Sequence, residues 1–160
     1  MKVSPLAVFL TILVILFVVP GLFNIFFPSY YVDGYCPCGS FSGVQKTTNT
    51  TEIVYFGVIT RDTRPSEMKI VIESGGWLAE YDMPSNDFSG ALTLVHTHGA
   101  TYRNNITSIV YTDLAQDRIT SIGDYITITL SHEGSESEVY GVWMVYVPLD
   151  TVIDDIFFTW

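Results

Sequence analysis

The stretch "DYITITLSH", Asp124 to His132, decides the fold. Ile126, Ile128 and Leu130 alternate with Tyr125, Thr127 and Thr129, so an extended chain places three aliphatic side chains on one face and three hydroxyl-bearing ones on the other. A helix would scatter both sets around its axis. β-branched and aromatic residues also suit a pleated surface. The stretch is predicted as a strand with one face in a core and the other in solvent.

Working outward, the same signature recurs. "EIVYFGVIT" (52–60), "MKIVIES" (68–74), "ALTLVHTH" (91–98), "TSIVYTD" (107–113) and "VYGVWMVYVP" (139–148) are short runs rich in β-branched and aromatic residues. Clusters of Gly, Pro, Asn and Asp separate them: "TRPSE", "ESGGW", "PSNDFSG", "THGATYRNN" and "SIGD". The closing "DTVIDDIFFTW" supplies a last strand. Strands at this spacing predict an immunoglobulin-like β-sandwich of about seven or eight strands.

Upstream the pattern changes. "VSPLAVFLTILVILFVVPGLFNIFFPSYYV", Val3 to Val32, carries no charged side chain. As a helix, about 25 residues would extend roughly 37 Å, more than the roughly 30 Å of a bilayer core. Ser4 and Pro5 make a suitable helix start, and Pro20-Gly21 should kink or break the run. The run is too long for a cleaved signal, and "FFPSYYVDG" behind it offers no small-residue cleavage site. The expected class is therefore α+β. Residues 1–30 form a long apolar N-terminal helix, 31–48 a neck, and 49–160 an all-β immunoglobulin-like sandwich.

Charge narrows the partners. The net charge is −10, every acidic residue lies at or beyond Asp33, and no Lys/Arg cluster occurs. Nucleic acid is not an expected partner, because its phosphates need a basic patch. Cys36 and Cys38 are disulfide candidates: a small ring within the neck, a bond between subunits, or two free thiols. Asn49 in "NTT" and Asn105 in "NIT" are glycosylation candidates. His96 and His98 share a strand face and, with His132 or the cysteines, raise the question of a metal. Their spacing is not that of a zinc knuckle, so neither metal nor cofactor is expected. No G-x-S-x-G, phosphate loop or H-E-x-x-H occurs, and no catalytic residue is assigned.

Two pieces carry a resemblance. "KVSPLAVFLTILVILFVV" resembles the mature N-terminus of archaeal type IV pilins and pilin-like proteins. "LTLVHTHGATYRNNITSIVYTD", "RITSIGDYITITL" and "VYGVWMVYVPLDTVIDDI" look like the β-domain pattern of the same family. The resemblance implies a helix that sits in the membrane before assembly and then bundles with copies of itself. Val3, Leu6, Phe9, Leu10, Leu13, Phe17, Leu22 and Phe26 would form the subunit interface. It also implies outward-facing β domains, an extracellular filament serving adhesion, and no catalysis. A different reading of the same residues is a membrane-anchored monomeric surface binding protein. A third is a small exported enzyme or metal protein using His96, His98 and His132.

Overall fold

The structure is a computed structural model that describes residues 37–99, 105–132 and 138–160. Ten strands are described: β1 (Gly39–Thr48), β2 (Thr51–Ile59), β3 (Met68–Ser74), β4 (Trp77–Asp82), β5 (Gly90–Ala91), β6 (Thr93–His98), β7 (Ile106–Thr112), β8 (Tyr125–Leu130), β9 (Val139–Tyr146) and β10 (Thr151–Thr159). They form two five-stranded sheets, in the orders β1-β2-β8-β7-β5 and β10-β9-β3-β4-β6. Every ladder is antiparallel.

The alternation of "DYITITLSH" is that of β8: Ile126, Ile128 and Leu130 are buried, while Tyr125, Thr127 and Thr129 are half-buried on the outer face. The aliphatic row meets Val54 and Phe56 of β2 and Ile109 and Tyr111 of β7. Across the sandwich lie Ile70 and Ile72 of β3 and Val142 and Met144 of β9. Phe56 and Tyr111 pack edge to face with centroids 6.1 Å apart. Each of these side chains contributes about 1.5–3 kcal/mol by leaving water, which is what holds two sheets of short strands together.

One side of the sandwich is sewn shut between β1 and β10. The Phe41 amide donates to Asp154 Oδ2 at 2.7 Å, and a Cβ on Gly39 would lie 2.9 Å from Ile153 Cγ2. A register shift in β10 between Val152 and Asp154 turns Asp154 toward that seam. The Trp160 indole N–H donates to the Asn49 carbonyl at 3.0 Å, tying the chain end to the β1–β2 turn.

The expected α+β class is corrected. Among the described residues there is no α-helix, only the 3-10 turns Pro65–Glu67 and Val147–Leu149, and the class is all-β with two antiparallel sheets. The helix expected over 1–30, its break at Pro20-Gly21 and the interface residues Val3, Leu6, Phe9, Leu10, Leu13, Phe17, Leu22 and Phe26 lie outside the described residues. No helix among the described residues is long and apolar enough to cross a membrane.

Other differences have local causes. β1 takes up Gly39–Thr48, within the stretch read as a neck. "ALTLVHTH" is two strands: the Leu92 amide donates to the Ile109 carbonyl at 2.9 Å, and the chain then leaves β7 for the other sheet. β4 was absent from the expectation because "ESGGW" reads as punctuation. Gly75 and Gly76 make the turn with φ of 54° and 82°, and Trp77 already begins the next strand.

Candidate functional site

The expected site residues do not converge. His96 and His98 sit on the outer side of β6 with rings 4.2 Å apart, opposite Glu80 and Leu78 of β4. His132 lies past the end of β8, its Nδ1 3.0 Å from Ser131 Oγ. No group of three His, Cys, Asp or Glu residues that could hold a metal occurs among the described residues. Cys38 is an exposed free thiol whose backbone is paired to Thr60, while Cys36 lies outside the described residues. Asn49 is exposed in the two-residue turn between β1 and β2. Asn105 is half-buried just before β7, its carbonyl accepting from the Ser131 amide at 2.7 Å.

Two buried aspartates are structural. Asp124, fully buried, accepts from the amides of Leu114 (2.9 Å) and Ser121 (2.8 Å) and from the Tyr111 hydroxyl (3.0 Å). Asp113 accepts from the amides of Gln116 (2.6 Å) and Arg118 (3.0 Å). Together they fold the β7–β8 connection, where Gln116 and Arg118 adopt positive φ. Burial and the adjacent Asp124 carboxylate push the Tyr111 hydroxyl far above its ordinary range. Beside this connection lies a hollow of about 390 Å³ lined by Asp62, Arg64, Asp87, Asp117, Arg118 and Ile119. Its charges answer one another. Burial alone would raise Asp87, but hydrogen bonding to Ser66 and the charges of Arg64 and Arg118 hold it below the usual carboxylate range. The Arg118 guanidinium in turn lies 4.2 Å from the centroid of the Phe88 ring.

The outer face of the β10-β9-β3 half-sheet is different in kind. Cross-strand register aligns Glu73, Gly141 and Phe157 in one row and Val71, Trp143 and Asp155 in the next. A Cβ on Gly141 would come within 2.7 Å of Trp143 and 2.8 Å of Phe157. The missing side chain is therefore what lets both rings lie over the β9 backbone. The rings meet edge to face at 5.6 Å. Phe157 remains 57 % exposed, with Val139 at 52 % and Val152 at 53 %. A hollow of about 190 Å³ opens over Gly141, lined by Glu73, Ser74, Gly75, Val139, Trp143 and Phe157. Glu73 and Asp155 are exposed and make no hydrogen bond or ion pair among the described residues. The nearest cation on this sheet, Lys69, is already bound to Glu80 at 3.3 Å and Asp150 at 3.1 Å.

This face escaped the sequence expectations, yet a signal for it exists. In "VYGVWMVYVP" both parities are apolar: Tyr140, Val142 and Met144 on one, Val139, Trp143 and Val145 on the other. An antiparallel strand that is apolar on both faces has an outer side built to be covered.

No family model matches the chain, and no curated protein matches it. The solved structures similar to it include two from one archaeal system. One is the archaellum periplasmic stator protein FlaG from Sulfolobus acidocaldarius, with 11% identity and a TM-score of 0.44 over 77% of this chain and 100% of that one. The other is the complex of the archaellum periplasmic stator proteins FlaF and FlaG from the same organism, with 14% identity and a TM-score of 0.42 over 81% of this chain and 98% of that one. A likeness this distant carries no functional inference.

Proposed function

We propose that this chain is a structural subunit of a cell-surface filament, displaying its β-sandwich outward to contact other proteins or surfaces and assigned no catalysis. The observation that supports it is the outer face of β9 and β10, where Trp143 and Phe157 pack over Gly141 and the side chains of Phe157, Val139 and Val152 are exposed. A domain that works alone in water gains nothing from such a face, whereas a domain that docks does. The charge-free stretch from Val3 to Val32 fits the same reading. It suits lipid before assembly and neighbouring copies afterwards, and the acidic sandwich then stays in solvent.

The test is to shear the cell surface gently and separate released filaments from detergent-extracted membranes. The chain is expected in the filament fraction, and Leu10→Asp or Leu13→Asp should remove it from there while the sandwich stays folded. Recovery only as a monomer in the detergent extract would overturn the filament reading in favour of a membrane-anchored binding protein.

A further inference from the structure

The hollow over Gly141 has a specific chemistry. Gly141 is buried beneath the Trp143 and Phe157 rings, and these rings line the hollow together with Val139 and Glu73. Asp155 stands beside Trp143 in the adjoining register. Among the described residues no cation lines it, and Lys69 is held by Glu80 and Asp150. We propose that this hollow receives one arginine side chain presented by a partner protein, which names the partner chemistry of the contact face and rests on the reading given above.

Three features select that occupant. A guanidinium is planar and weakly hydrated, so it stacks on an indole where an ammonium would keep its water. Glu73 makes no hydrogen bond or ion pair among the described residues, and a carboxylate recognises the guanidinium fork through two parallel hydrogen bonds. The apolar wall formed by Val139 and Phe157 accommodates the aliphatic stem. Charge argues against this face pairing with its own counterpart on a second copy. At a net charge of −10, pairing this face with itself would set Glu73 and Asp155 against carboxylates.

The experiment uses the full chain in non-ionic detergent and follows tryptophan emission. Trp77 and Trp160 are each only 4 % exposed, so a probe in the hollow is read by Trp143. The probe is a blocked pentapeptide, Gly-Val-Arg-Val-Gly, compared with the same peptide bearing citrulline, which keeps the shape and removes the charge. Saturable binding is expected, weakened about tenfold or more by citrulline and roughly threefold to fivefold by Glu73→Gln or Phe157→Ala. The two variants must keep the thermal midpoint of the parent chain. The proposal is overturned if citrulline binds equally, if neither variant weakens binding, or if no saturation is seen to about 10 mM. Any of these, with the chain still recovered in sheared filaments, removes the arginine site and leaves the filament reading intact. Saturable arginine binding by a chain found only as a detergent-extracted monomer supports the site and removes the filament.

Discussion

Glu52 lies on the inner face of β2 at 2 % exposure, and its Oε2 has no hydrogen-bond partner among the described residues. Burial raises its carboxyl above the ordinary 4.5, and Lys46 across the β1–β2 ladder pulls it only partly back. The sign follows from proton linkage. Between the unfolded value near 4.5 and the higher folded value, the native state binds more protons than the unfolded state. Stability therefore falls as pH rises through that window, and the charged form is a cost at neutral pH. Glu52→Gln should flatten this dependence and stabilise the sandwich at pH 7 by about 1–2 kcal/mol, read from urea midpoints at pH 4.5 and pH 7. A variant that is less stable at both would show that the carboxylate has a stabilising partner. Nothing in the sequence marks this glutamate, because "TEIVY" alternates as any half-exposed strand would. Only the register of β2 turns it inward.

Among the elements, the β7–β8 connection is the one whose order hangs on single side chains. Asp124 holds two amides and the Tyr111 hydroxyl from a fully buried position. With the Ser121 hydroxyl also donating to it at 3.3 Å, Asp124→Ala would leave four donors without their acceptor, and is expected to cost about 3 kcal/mol or more. Hydrogen exchange should show lost protection at Leu114 and Ser121 before the β3–β9 ladder is affected. Equal loss across both sheets would mean that the aspartate acts on the whole core. In the sequence, "SIGD" reads correctly as a turn, but nothing there shows that its last residue reaches back to Leu114. Strands with period-two alternation, β3 and β8 above all, were legible because one wet face and one dry face leave a periodic trace. β1 was less so, since "GSFSGVQKTT" is polar along most of its length and its place is fixed by pairing to β2 and by the seam to β10. β4 was hidden by the adjacent glycines. The candidate site was written in the double apolarity of β9, but its carboxylate rim comes from β3 and β10, which only register brings together.

At the scale of the molecule, the two outer faces differ in composition. The outer face of the β1-β2-β8-β7-β5 sheet presents Tyr55, Tyr125, Thr127 and Thr129 beside Ile53 and Val110, with the Tyr55 hydroxyl donating to Gln45 at 2.8 Å, and reads as the more polar of the two. The β10-β9-β3 face presents aromatic rings flanked by free carboxylates and reads as a contact surface. The most direct measurement is site-specific photocrosslinking on intact cells. A benzophenone amino acid replaces Phe157 on one face or Thr129 on the other, and the joined peptides are identified by mass spectrometry. The contact reading predicts one defined protein adduct from position 157, which fails to form when competing arginine peptide is present before irradiation, and none from position 129. No adduct from 157, or equal adducts from both positions, would contradict it.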